Sequence, residues 1–165
     1  MSPLRLVLLA ALALGGCDVG PTGSDNVCDG VLSIDIGKGE AAFVGLEDDD
    51  DLPFYAGPQG GHHVFVSIRG VDLVPGTGSL AEPDDPAVSV SLIASDEELS
   101  TFEGRQRVFA DLDDGSFELV GQLVVLSHPE PPELDSDPAT LTVTVQDRCG
   151  SIATESVRVV LLSES

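Results

Sequence analysis

Basic residues are scarce in this sequence. Its 165 residues include seven lysines and arginines against 29 aspartates and glutamates, so the formal net charge at pH 7 is −22. Nucleic acids and anionic membrane surfaces are polyanions and repel a chain of this charge. The excess of acidic residues therefore argues against nucleic acid as a partner, while it favours solubility and the attraction of cations.

Sequence signatures of catalysis are missing as well. There is no Gly-x-Ser-x-Gly pattern, which would place a serine nucleophile on a sharp turn. The short glycine pattern at Gly76-Thr77-Gly78 is not followed by a helical period, as a phosphate-binding loop requires. We therefore expect a protein that is not an enzyme and that uses no cofactor.

Histidines, which often bind zinc or copper, number only three: His62, His63 and His128. Adjacent residues of a strand point to opposite faces, so His62 and His63 diverge if a strand has begun by His62. His128 lies apart from them in a proline-rich segment. We predict no metal site at these residues, and one exposed ring in the adjacent pair.

The N-terminal apolar run, Leu6–Leu14, has nine residues and is too short to span a bilayer as a finished helix. Arg5 precedes it and Leu14-Gly15-Gly16-Cys17 ends it, which is the order of a targeting segment. The tetrapeptide resembles the lipobox of bacterial lipoprotein precursors: an aliphatic residue, two small residues and a cysteine. The resemblance implies cleavage before Cys17 and lipid attachment to it. A secretory leader with a chance cysteine is the alternative.

The chain thus divides into three parts. Residues 1–17 form the leader, with Cys17 kept as the lipidated N-terminus, residues 18–27 form a polar tether, and residues 28–165 suit one domain. Asp18 follows the cysteine, and in some Gram-negative bacteria this choice retains a lipoprotein at the inner membrane. We expect a cell-envelope location, at the outer membrane and cell surface or at the periplasmic face of the inner membrane. The expected partners are the membrane, through the anchor, and an envelope protein or a glycan.

No segment has a convincing helical period, whereas apolar and polar residues alternate in many. The clearest case is the stretch from His63, where Val64, Val66 and Ile68 share one face. An Asp-Gly turn signal at Asp113-Asp114-Gly115 predicts a hairpin between two such runs. The pattern predicts very little helix and about eight short strands: residues 31–36, 41–46, 63–69, 87–94, 105–112, 116–126, 140–146 and 156–161.

The segment Leu141–Val160 resembles the last hairpin of bacterial immunoglobulin-like domains, in which a Val-x-Val-x-Asp-x-x-Gly-x-x-Ala run turns at the glycine. Gly57–Val66 is similar to a stretch of uncharacterised bacterial lipoproteins of this kind. The resemblance implies an immunoglobulin-like antiparallel β-sandwich. The chain departs from the antibody pattern, since it has no tryptophan and Tyr55 does not precede a late cysteine by two residues. The likeness therefore concerns architecture only.

Two acidic stretches are candidates for calcium binding. The candidate ligands are Asp48, Asp49, Asp50, Asp111 and Asp113. Calcium needs six to eight oxygens that converge. An EF-hand loop that started at Asp111 would have Gly115 at position 5 and Gln122 at position 12, so that motif fails. A run of charges is usually a solvated loop.

Three cysteines are present, and lipidation would consume Cys17. Cys28 and Cys149 then form an even pair in a chain exported to an oxidising compartment. Cys28 lies just before the first strand and Cys149 lies at the turn between the last two. The first and last strands of a sandwich can be close, so we predict a Cys28–Cys149 disulfide, with two free thiols as the alternative.

These observations predict a lipid-anchored, non-enzymatic envelope protein with a structural or binding role. The alternative function is a cation-binding envelope module that uses its acidic inter-strand loops for calcium.

Overall fold

The computed structural model describes residues 28–58, 60–76, 84–127 and 136–164. These ranges contain ten strands and no helix, so the prediction of an all-β protein is confirmed. The strands are β1 (Ser33–Lys38), β2 (Val44–Gly45), β3 (Asp50–Ala56), β4 (His62–Val71), β5 (Ala87–Ala94), β6 (Glu97–Gln106), β7 (Ala110–Asp111), β8 (Phe117–Leu126), β9 (Pro138–Gln146) and β10 (Ile152–Glu164).

Hydrogen bonds join the strands into one mixed sheet, which is not closed. The order is β2-β1-β4-β3-β10-β9-β5-β6, with β8 on β4 and β7 on β8. The prediction of a purely antiparallel fold is wrong at one pair, because Asp50–Tyr55 runs parallel to Val159–Glu164. A parallel pair needs a long connection, and most of the chain lies between these two strands. The sandwich and immunoglobulin-like parts of the prediction remain predictions.

All of the long strands contribute to one buried core. The face predicted for β4 is confirmed, because Val64, Val66 and Ile68 are fully buried. Burial of each such side chain contributes about 1.5–3 kcal/mol relative to leaving it exposed. The core also includes alternating residues of four other predicted strands: Leu32, Ile34, Ile36, Val88, Val90, Leu92, Leu141, Val143, Val145, Val157, Val159 and Leu161.

The opposite face of β4 is only partly open. Ser67 is fully buried, although it does not belong to the face formed by Val64, Val66 and Ile68. Its hydroxyl donates a hydrogen bond to the carbonyl oxygen of Gly39 at 3.0 Å and accepts one from the amide of Gly121 at 3.1 Å. The segment after β1 therefore folds over this part of the sheet, next to a register shift between β4 and β8.

Several strand bounds differ from the prediction. The first acidic stretch, which includes Asp48, Asp49 and Asp50, runs into β3, whose alternating Leu52 and Phe54 are buried. The strand predicted over 105–112 is replaced by the end of β6 and by the two-residue β7. The predicted hairpin is present, since β7 pairs with the start of β8 across the turn at Asp113-Asp114-Gly115.

Candidate functional site

The structure joins Cys28 and Cys149 in a disulfide, with 5.7 Å between their Cα atoms. This separation is ordinary for a disulfide. The bond ties the segment before β1 to the turn between β9 and β10, as the sequence predicts. Cys17, the predicted lipidation site, lies outside the described residues.

Asp147 organises the turn that carries Cys149. It is 5% exposed, and its carboxylate accepts hydrogen bonds from the amide of Ser151 at 2.9 Å and from the amide of Val74 at 3.3 Å. Gly150 has a φ of 83°, a left-handed conformation that favours glycine. The Asp-x-x-Gly part of the hairpin motif thus has a structural role, in which it fixes the position of the cysteine.

The first acidic stretch binds an arginine of β10. Asp49 forms a bidentate pair with the Arg158 guanidinium at 2.9 and 3.0 Å, and Asp48 accepts a hydrogen bond from the Arg158 amide at 3.0 Å. The side-chain hydrogen bond from Arg158 lowers the pKa of Asp49 below its ordinary value. Asp50 accepts a hydrogen bond from the amide of Glu47 at 3.0 Å. The three predicted calcium ligands of this stretch therefore already bind donors of the protein.

The second acidic stretch does not supply a ligand set. Asp111 and Asp113 are exposed in the β7–β8 hairpin. Their neighbour Asp114 accepts hydrogen bonds from the amide and hydroxyl of Ser116, which lower its pKa. Among the described residues, no three histidine, cysteine, aspartate or glutamate side chains are grouped so that they could hold a metal ion.

A cleft between β1 and β10 has a volume of about 660 Å³. The carboxylates of Asp35, Glu47, Asp48 and Glu155 line it. Its acidity matches the net charge of the chain, and its carboxylates do not form a metal-binding group.

The adjacent histidines diverge as predicted, but the expected exposed ring is absent, because His62 is buried and His63 is half-buried. His62 is buried, with its ring edge against Phe54 at a centroid distance of 5.8 Å. His63 lies on the other face of β4, stacked on Tyr55 at 5.9 Å and edge-on to Phe65 at 5.1 Å. His128 lies outside the described residues. The adjacent rings therefore pack against aromatic side chains on opposite faces.

A groove between β6 and β8 was not predicted from the sequence. It has a volume of about 220 Å³, and its walls include Phe102, Arg105, Arg107, Gln122, Leu123 and Val125. Arg107 donates a hydrogen bond from Nε to Oε1 of Gln122 and another from Nη1 to the carbonyl oxygen of Gln106 at 2.8 Å. The only sequence signal for this site is the close spacing of two arginines in an acidic chain.

Comparisons with known proteins give no family for this chain. No family model matches it, and no curated protein matches it. One solved structure with some likeness is the N-terminal domain of PorA, which is 11% identical, with 78% of this chain and 96% of that chain covered. The TM-score is 0.28, and a likeness of this size carries no argument about fold or function. Within the described residues, no helix is long and apolar enough to cross a membrane.

Proposed function

We propose that this chain is a lipid-anchored, non-enzymatic protein of the cell envelope, with a structural or binding role. The observation that carries the proposal is the leader, in which Arg5, a nine-residue apolar run and Leu14-Gly15-Gly16-Cys17 follow one another. Stable membrane anchoring requires two membrane-binding elements, such as two acyl chains. A lipidated cysteine that carries several acyl chains would exceed this requirement.

The folded domain is compatible with this location. A disulfide persists in oxidising compartments such as the periplasm or the cell surface, and Cys28–Cys149 is one. The high negative charge keeps such a domain soluble beside the membrane to which the lipid holds it. The immunoglobulin-like sandwich remains part of the proposal, supported by the β9–β10 hairpin, whose turn uses Asp147 and Gly150.

The second candidate function, calcium binding, receives no support from the geometry. Asp48 and Asp49 bind Arg158, and the other candidate ligands do not converge with them.

Cell fractionation tests the anchor. The full chain should separate with the detergent phase of a bacterial membrane extract, and Cys17→Ser should move it to the aqueous phase. Ser24→Ala, a substitution in the tether, is the matched control and should leave the protein in the detergent phase. A Cys17→Ser variant that still separates with detergent would show that the lipobox interpretation is wrong.

A further inference from the structure

The sheet stops short of closing between β6 and β8. Backbone pairing joins β6 to β5 and β8 to β4, with only Ala110 and Asp111 of β7 on the outer side of β8. One backbone bond spans the gap, from the amide of Ser127 to the carbonyl oxygen of Leu99 at 2.6 Å. Along most of β8, the backbone therefore faces the groove without a strand partner among the described residues.

This edge of β8 is interrupted by a register shift next to Gly121, but it lacks the protection of charged and proline residues. Proteins blunt exposed edges with charges or prolines, because unpaired N–H and C=O groups accept a further strand. Residues Leu119–Leu126 contain no charged residue and no proline. Leu123 and Val125 are 44% and 60% exposed, respectively. The segment therefore combines apolar side chains with a backbone edge that has no strand partner, although the carbonyl oxygen of Leu123 accepts a hydrogen bond from Nε2 of Gln122 at 2.8 Å.

The charge of the groove is opposite to that of the chain. Arg105 and Arg107 are two of its lining residues, whereas no aspartate or glutamate lines it. The ion pairs of arginine among the described residues involve Arg69, Arg148 and Arg158, and none involves these two. Gln122 holds the guanidinium of Arg107 toward β8. Arg105 and Arg107 are therefore the charged side chains that line the groove.

We propose that the groove binds an extended, acidic peptide segment of a partner protein, which adds as a strand along β8 and places a carboxylate between Arg105 and Arg107. An added strand gains affinity from its main-chain hydrogen bonds and specificity from alternate side chains. Arginine pairs carboxylates well because its planar guanidinium can donate two parallel hydrogen bonds. This inference rests on the proposed binding role and names the chemistry of the partner.

Charge complementarity favours this occupant over a second copy of the chain. The edge that a second copy would present, Leu119–Leu126, contains no carboxylate to meet the two arginines.

The proposal can be tested by selecting peptides from a phage-displayed library of random dodecapeptides. The target is the full chain, immobilised in detergent. Enriched peptides should contain aspartate or glutamate within an alternating apolar pattern. A synthetic peptide from the selection should bind the Arg105→Glu/Arg107→Glu variant and the Leu123→Lys variant at least tenfold more weakly. Arg148→Glu and Ile152→Lys are the matched controls, at an exposed arginine and an exposed isoleucine elsewhere, and should change Kd less than twofold.

The proposal would be overturned if the selection enriched peptides without acidic residues, or enriched no peptide above background. Equal binding of the selected peptide to the groove variants and the control variants would also overturn it. So would a dimer, detected by sedimentation, that the Leu123→Lys substitution dissociates. Binding of oligoglucuronate at the two arginines in place of peptides would also overturn it, by assigning the groove to an acidic glycan. Circular dichroism should show the same strand content in every variant. None of these results depends on Cys17, so they leave the anchoring proposal untouched.

Discussion

Removal of the Cys28–Cys149 disulfide should cost this domain several kcal/mol in the free energy of unfolding. The bond connects residues 121 positions apart. In the chain-entropy model, closing a loop of that length removes about 16 cal/mol/K from the unfolded chain, or about 5 kcal/mol at 25 °C. Residual structure in the unfolded state reduces such values, so we expect a loss of about 3–5 kcal/mol in Cys28→Ser/Cys149→Ser.

The loss should come from the unfolded state. Cys28 is exposed and Cys149 is half-buried, so two serines leave no cavity in the core. The hydrogen bonds of Asp147 hold the turn without help from the disulfide. An unfolded chain without the bond is less compact, so the dependence of the unfolding free energy on urea should also become steeper.

Urea unfolding at pH 7 measures both the loss of unfolding free energy and the change in its urea dependence. Circular dichroism monitors the transition, because the chain has no tryptophan. Wild-type protein that has been reduced and alkylated is the control and should match the double serine variant. A difference below about 1 kcal/mol between the oxidised protein and the variant would refute the entropic reasoning. Alkylation of both cysteines in unreduced, denatured wild-type protein would rule out the bond itself.

Further predictions concern the core, the turns and the acidic residues. Ile68→Ala should cost about 2–5 kcal/mol in urea unfolding, because the side chain is fully buried, whereas Ile152→Ala, at a 62% exposed residue, should cost less than about 0.5 kcal/mol. Gly121→Ala should destabilise more than Gly115→Ala: both positions have a positive φ, but only at Gly121 would the added Cβ lie 2.3 Å from a backbone oxygen, that of residue 40. Asp49 has a lowered pKa in the folded state, so its pairing stabilises at neutral pH and is lost as the pH falls and the carboxylate is protonated. Asp49→Asn should lower the urea midpoint at pH 7, and the difference from wild type should shrink as the pH is lowered. Calcium should leave the melting temperature unchanged, and a rise that saturates with concentration would restore the cation-binding alternative.

Strands with strict alternation could be predicted from the sequence, and two others could not. β4 was recognisable because Val64, Val66 and Ile68 recur at every second position. β3 was obscured by its acidic start and by Pro53, which lies just before the part of the strand that pairs with β4. β6 was missed because only Leu99 and Ser100 of its ten residues are buried, so no period of two is left to detect.

Some features of the candidate sites could likewise be predicted from the sequence, and others could not. The disulfide followed from the number of cysteines and the compartment, and the divergence of His62 and His63 followed from strand geometry alone. The groove depends on which strand edges remain unpaired, which only the assembled sheet determines. Asp49 illustrates the same limit, because its partner Arg158 is 109 positions away. Sequence spacing suggested a cation ligand there, whereas the fold supplies an arginine.

The mass of the mature N-terminus tests the central claim most directly. The full chain, expressed in a bacterium that processes lipoproteins and extracted in detergent, should yield an N-terminal peptide that begins at Cys17 and carries covalently attached acyl chains. A peptide that begins at Met1, or cleavage at another residue with an unmodified Cys17, would contradict the proposal that this domain is lipid-anchored in the cell envelope.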